Sequence, residues 1–294
     1  MSIPAANPPR AAGQAPGSPA AARPGGAALE TLRRALWELK FRARVRLRRG
    51  ALPNALVIGA SKGGTTSVYR WLSRHPQVCA SRVKEVRYFN GHHERGPAWY
   101  AAQFDPKPGQ TVLIEASPSY LWDPDAPGRI RSLLGEPKLI VLLREPVERA
   151  WSQYWMKVRR GEETGSFEEV LRREAEGFGV AGQMPSDGSV PRLRYGRHSY
   201  LGKGLYAPQI ERWLSVFPRD CFHFVRSEDL FRGPAETMSG LLRFLGLPPI
   251  QLEGLEPFNA GRYPPLDPAV HHKLAACFAE SNARVEQLTG IRWS

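Results

Sequence analysis

The chain has 294 residues, 42% of them hydrophobic, enough for one large domain with a full core. Net charge is +13, but the first fifty residues hold ten Lys and Arg against two Glu, so +8 sits there and the rest is only mildly basic. Three widely spaced cysteines argue against a disulfide framework or a zinc site, and no apolar run reaches the roughly eighteen residues of a membrane span or forms a signal-peptide core, so a reducing cytoplasm is the expected setting.

Residues 1–27 are dominated by Pro, Ala and Gly, with too little apolar side chain to offset the entropy of ordering them, and a disordered tail is expected. Over 28–49, Leu29, Leu32, Leu36 and Leu39 recur at helical spacing before FRARVRLRR alternates Arg with apolar residues. This basic segment is expected to be a solvated helix that lays its leucines on the body; an anchor on an anionic membrane surface or a nucleic-acid arm is the alternative.

From residue 53 short apolar runs alternate with amphipathic helices. ALVIGA, TVLIEAS and KLIVLLRE are near-continuous apolar strands of the kind buried on both faces of a parallel sheet. A helix is expected from Thr65 to His75, with Val68, Trp71 and Leu72 inward, and another from Pro146, with Val147, Ala150, Trp151, Tyr154 and Val158 inward. Residues 160–196, rich in Gly, Ser and charge, are expected to form a mobile insertion. Leu205–Phe217 is read as a helix, CFHFV as a strand, Glu236–Leu245 as a helix, and a last helix runs from the Asp267 cap to Gly290. The fold class expected is α/β: a mostly parallel sheet flanked by helices.

The stretch IGASKGGTTS joins the first strand to its helix. Counted from Gly59, the Walker spacing puts Gly64 at the second Gly but Thr65 where Lys belongs, so a nucleoside triphosphate loop fails at its lysine. Lys62 instead precedes Gly63 and Gly64, with Thr65, Thr66 and Ser67 opening the helix, which gathers an ammonium, hydroxyls and backbone N–H groups around an anion. Downstream, Arg144 ends a strand and Ser152 lies on the next helix off its apolar face, where the pair could clamp a second phosphate. Glu115 is read as hydrogen-bonding a neighbouring loop or the basic site rather than holding Mg²⁺. His92–His93 and His271–His272 are read as loop and helix-surface residues, and no metal is expected. Trp99, Tyr100, Trp151, Tyr154 and Trp155 are read as core.

Taken in order, IGASKGGTTSVYRWLSRHP, KEVRYFNGHHERGPAWY, IEASPSYL, KLIVLLREPVERAWSQY, YLGKGLYAPQIERWLSVFP, SEDL and GRYPPLD resemble the PAPS-dependent sulfotransferases, nearest the bacterial relatives of the heparan sulfate N- and O-sulfotransferases. The resemblance implies a sulfotransferase domain over 53–294 with a P-loop-like fold, the donor 3′-phosphoadenosine 5′-phosphosulfate (PAPS), the product 3′-phosphoadenosine 5′-phosphate, and a carbohydrate or small-molecule acceptor with a hydroxyl or amine. It places Lys62, Gly63, Gly64, Thr65 and Thr66 in the 5′-phosphosulfate loop and Arg144 and Ser152 in the 3′-phosphate clamp. Gly261, Arg262 and Tyr263 fall in the loop that closes over the nucleotide, and Glu85 at the catalytic carboxylate. Lys62 is implied to stabilise charge on the leaving oxygen. Two positions depart from the family's pattern: Arg87 stands where His is frequent, and Ala116 where some O-sulfotransferases carry Lys. The alternatives are a P-loop kinase with a degenerate loop, or a basic nucleic-acid or membrane-surface module built on the arm. No nucleic-acid partner is expected.

Overall fold

The computed structural model describes residues 24–177 and 199–293, apart from 252, 257, 259, 260 and 262, with backbone alone for 24–34 and 175–177. Contacts divide the chain into two compact units, one ending at Arg44 and one beginning at Val45. In the first, helix α1 (Pro24–Arg46) continues through the Arg-rich stretch. Leu36 and Leu39 are 49% and 65% exposed, whereas Phe41 is buried and stacks on Trp37. The side chains of Leu29 and Leu32, and most of the expected tail, lie outside the described residues.

The second unit follows β1 (Ala55–Gly59), α2 (Thr65–Leu72), β2 (Val78–Ala80), α3 (Tyr88–Gly91), α4 (Gly96–Ala101) and β3 (Val112–Ala116). It continues through α5 (Ala126–Leu134), β4 (Lys138–Leu143), α6 (Pro146–Arg159), α7 (Phe167–Gly177) and α8 (Tyr206–Leu214). Strand β5 (Phe222–Arg226), α9 (Ser227–Arg232), α10 (Pro234–Leu245) and α11 (Pro268–Thr289) complete it. Five strands form one parallel sheet in the order β2-β3-β1-β4-β5, as the apolar runs require. Side chains alternate across it: Leu56, Ile58, Leu139 and Val141 join Tyr88, Phe89, Tyr100 and Trp213 on one face, while Val57, Ile140 and Leu142 join Val68, Trp71 and Leu241 on the other. Each fully buried aliphatic side chain here is worth about 1.5–3 kcal/mol. Strand β2 was not expected; three residues at a sheet edge are too short to show a period.

The helix ends follow from local chemistry. Glu145 caps α6 by accepting from the N–H groups of Val147 (3.1 Å) and Glu148 (2.7 Å), with Pro146 as the first helical residue. Asp267 accepts from Ala269 N–H at 2.7 Å to start α11, and Gly290 ends it at φ +79°. Part of the expected insertion is ordered helix: α7 buries Phe167, Val170 and Leu171 against Trp151. Its start is a reciprocal capping box, in which Ser166 N–H donates to Glu169 Oε2 (2.7 Å) and Glu169 N–H to Ser166 Oγ (3.2 Å). From the same helix Glu174 accepts the N–H groups of Tyr200, Leu201 and Gly202 at 2.7–3.0 Å. The rest of that segment, 178–198, lies outside the described residues.

Candidate active site

β1 and β4 are neighbours whose following connections run to opposite sides of the sheet, so a crevice opens at their carboxyl ends. The loop after β1 fills one side of it. Ala60 N–H donates to Leu142 O at 2.6 Å, which ties the loop to β4, and Gly63 N–H donates to Ala60 O at 3.0 Å. Ser227, fully buried at the head of α9, donates its Oγ proton to Gly63 O at 2.9 Å. Lys62 and Gly64 both have positive φ, +74° and +93°. At Gly64 a Cβ would also fall 2.7 Å from Leu230 Cδ2, so glycine alone fits. α2 then starts at Thr65 with no side-chain cap, leaving its first N–H groups and dipole to an anion.

The other side is α6. Arg144, the residue after β4, places Nη2 3.0 Å from Glu148 Oε2 and 3.5 Å from the Tyr263 hydroxyl. Ser152, Met156 and Arg160 follow at intervals of four on one helix face, and all three line the cavity. The cavity, about 460 Å³, brings together Lys62, Gly64, Thr65, Thr66, Glu85, Arg144, Ser152, Gly261 and Tyr263. Gly63 shapes the loop without lining the space, and Arg262 lies outside the described residues.

The C-terminal loop is tied down from both sides. Tyr263 stacks on Trp155 (centroids 6.5 Å, 7° between planes) and lies 6.0 Å beneath the Arg159 guanidinium, while Trp151 Nε1 donates to Pro264 O at 2.9 Å. A Cβ on Gly261 would meet that guanidinium at 2.8 Å. Phe258 N–H donates to Ser67 Oγ at 2.9 Å, and Arg70 sits 4.5 Å over the Phe258 ring.

Electrostatically the cavity is cationic. The Lys62 ammonium is pushed down to about 8 by burial first, then by the guanidinium groups of Arg159, Arg144, Arg160 and Arg149. A cluster of partly desolvated like charges calls for an anion, whose arrival would raise that value again. The sign follows directly: in the free protein Lys62 loses its charge as pH rises through about 8, so affinity for a phosphate-bearing ligand should fall above that pH. Binding near pH 8 should also take up protons, which calorimetry in buffers of different ionisation enthalpy would detect. Affinity that stays flat from about pH 7 to about pH 9 would contradict this assignment.

Glu85 lines the same cavity as the Lys62 loop, with its carboxylate half exposed and 2.9 Å from Lys84 Nζ. Its backbone is left-handed (φ +62°), as is that of Arg87 (φ +53°), and non-glycine residues adopt this conformation only when their surroundings impose it. Glu115 is remote from the cavity lining: fully buried, it accepts hydrogen bonds from Tyr100, Ser117 and Tyr120. His92 is near Glu94 (3.9 Å) and His271 near Glu145 (3.4 Å), and among the described residues no cluster of metal-ligating side chains occurs. The aromatic residues pack as core, Tyr100 on Tyr88 and Trp151 on Tyr154. Lys84 pairs with Glu85, as the bland reading of that carboxylate has it, whereas sequence reasoning missed Arg159, Arg160, Phe231 and Phe258. For Arg160 a signal existed, two four-residue steps from Ser152 through Met156; for Phe231 and Phe258 only the fold brings them to the cavity.

The family described as "Sulfotransferase domain" matches residues 52–255. The chain is 28% identical over 306 residues to the membrane-associated sulfotransferase kil1 of Dictyostelium discoideum, covering 81% of this chain and 65% of that protein. It is 32% identical over 237 residues to the heparan sulfate glucosamine 3-O-sulfotransferase 6 of Homo sapiens, covering 80% and 65%. The chain thus spans about two thirds of the length of these relatives. Among solved structures, a sulfotransferase from Alicyclobacillus acidocaldarius superposes with a TM-score of 0.67 at 30% identity, over 83% of this chain and 98% of that one.

Proposed function

The chain belongs to the sulfotransferase family, and from that premise we propose that it transfers a sulfuryl group from PAPS to a hydroxyl or amine of a carbohydrate acceptor. The observation that carries the reading is the pairing of two anion-binding groups in one cavity: Lys62 with the start of α2, and Arg144 with Ser152. A donor with a 5′-phosphosulfate and a separate 3′-phosphate suits that pairing. When bound, PAPS supplies the sulfuryl group and a stable bisphosphate leaving group.

Each residue then has a defined task. The N–H groups of Thr65 and Thr66 and the Lys62 ammonium hold the 5′ end, and Lys62 gains interaction energy as negative charge grows on the departing oxygen. Arg144 and Ser152 hold the 3′-phosphate, with Arg159 and Arg160 adding to the field. Tyr263 and Phe258, both on the cavity lining, would flank the nucleotide and exclude water. Glu85 accepts the proton of the incoming hydroxyl or amine, and Lys84 pairs with its carboxylate at 2.9 Å.

The names of the relatives support a carbohydrate acceptor, while Arg87 and Ala116 make heparan sulfate one candidate among several. The test is to incubate the protein with PAPS and a carbohydrate panel that includes heparan sulfate, and to read products by the mass gain of one sulfuryl group. Phosphorylated products formed from ATP and Mg²⁺ would favour the kinase alternative. A cytoplasmic setting belongs to the same proposal and is supported by cysteines too few and too widely spaced for a disulfide framework.

The arm has a separate task. Exposed Leu36 and Leu39 beside a run of arginines support attachment to an anionic lipid surface. Deleting residues 1–44 should leave bisphosphate affinity unchanged while abolishing salt-sensitive co-sedimentation with phosphatidylserine vesicles. Sedimentation that survives the deletion would remove the arm from this role.

A further inference from the structure

Glu115 is a carboxylate with no polar need in the core. It lies on β3 among Tyr88, Phe89, Tyr100 and Tyr120, fully buried, where an apolar side chain would avoid the cost of desolvating a charge. Three hydroxyls donate to it: Tyr100 (2.6 Å) and Tyr120 (2.9 Å) to Oε1, and Ser117 (2.8 Å) to Oε2.

By accepting from both, Glu115 commits the single protons of Ser117 and Tyr120 and leaves their lone pairs to face elsewhere. Those lone pairs meet the backbone of the Glu85 turn. Arg87 N–H donates to Ser117 Oγ at 2.9 Å, Phe89 N–H to Tyr120 Oη at 3.4 Å, and Glu85 N–H to Ala116 O at 3.0 Å. Three alternate N–H groups, at 85, 87 and 89, are therefore gripped by the residues just after Glu115. Two of those three residues hold left-handed φ values. Burial pushes the Glu115 carboxyl up, and the three hydroxyl donors act in the opposite direction.

We propose that Glu115, acting through Ser117 and Tyr120, is a positioning residue that fixes the turn presenting Glu85 to the acceptor. The proposal rests on the sulfotransferase reading and on Glu85 as the base. Glu115 touches neither donor nor acceptor; it sets the direction of two hydroxyls, and these set the backbone. Its loss should loosen the turn while leaving the Lys62 loop and Arg144 clamp in place.

The test uses Ser117→Ala, Tyr120→Phe and Glu115→Gln, each alone and combined with Glu85→Gln, in the full chain. Hydrogen exchange of the 84–90 segment should accelerate roughly tenfold or more in the three variants, with the 61–67 loop unchanged. With PAPS and the best acceptor of the panel, kcat should fall roughly tenfold while the Kd of the 3′,5′-bisphosphate stays constant, and this penalty should vanish in the Glu85→Gln background. Unchanged exchange at 84–90, or a penalty that multiplies undiminished with Glu85→Gln, overturns the proposal. If Glu85→Gln alone leaves turnover intact, the assignment of the base fails, and the exchange measurement, which needs no acceptor, still decides whether Glu115 holds the turn. Should Glu115→Gln fail to fold, the two hydroxyl variants carry the test.

Discussion

Lys62→Ala should lower kcat/KM for PAPS by roughly 10³-fold, more than any other single change in the cavity. Two losses combine in that figure. The first is binding: Lys62 is a partly buried ammonium in a loop whose N–H groups and helix dipole address the same anion, and removing one charge-assisted hydrogen bond should weaken bisphosphate affinity roughly tenfold. The second is chemistry. Charge grows on the bridging oxygen only as the sulfuryl group departs, so an ammonium beside it stabilises the transition state beyond the ground state, and kcat should fall by roughly 10²-fold. Calorimetry gives the first number and saturating kinetics the second. Two of the guanidinium groups that depress Lys62 cannot take its place, because Arg144 is held toward Glu148 and Tyr263 and Arg159 toward Tyr263. An unchanged kcat would show that Lys62 only binds.

Glu85→Gln should lower kcat by roughly 10²-fold or more while leaving bisphosphate affinity unchanged. The substitution keeps size and polarity and removes only the basic oxygen, so no packing argument competes with the chemical one. Glu85 is half exposed, lines the same cavity as Lys62, and contacts Lys84, so it can meet an acceptor that enters over the bound donor. Its left-handed backbone matters here, because the turn is tied down by Ala116 and Ser117 and does not depend on the Glu85 side chain. A fall in nucleotide affinity with kcat preserved would place Glu85 in the donor site instead.

Much of this fold was legible in the residues themselves. The apolar runs at β1, β3 and β4 announce strands buried on both faces, and the Asp267 and Pro146 starts and the Gly290 stop mark α11 and α6. Strand order was not legible, since the adjacency of β1 and β4 comes from crossovers that no local period records. α7 was missed although Ser166 and Glu169 spell a capping box, because the surrounding Gly and charge masked the apolar triplet Phe167, Val170 and Leu171. In the site, Lys62 stood out because lysine and three hydroxyls are surplus to a simple turn. Arg144 and Ser152 gained meaning from the family resemblance, and their shared cavity with Lys62 supports the pairing. Nothing in KEVRYF shows that two residues take positive φ, nor that Ser117 and Tyr120 grip the segment, because those constraints come from β3 and the residues that follow it.

The central claim, that one cavity binds a nucleotide through both its 5′ and 3′ phosphates, is tested most directly by calorimetry of two ligands. The 3′,5′-bisphosphate of adenosine engages Lys62 and α2 at one end and Arg144 and Ser152 at the other, whereas 5′-AMP leaves the second pair empty. The loss of charge-assisted hydrogen bonds to the 3′-phosphate should weaken AMP by roughly 10²-fold, and Arg144→Ala should bring the bisphosphate down to the AMP value. Equal affinities for the two nucleotides, or a bisphosphate affinity indifferent to Arg144→Ala, would contradict the account.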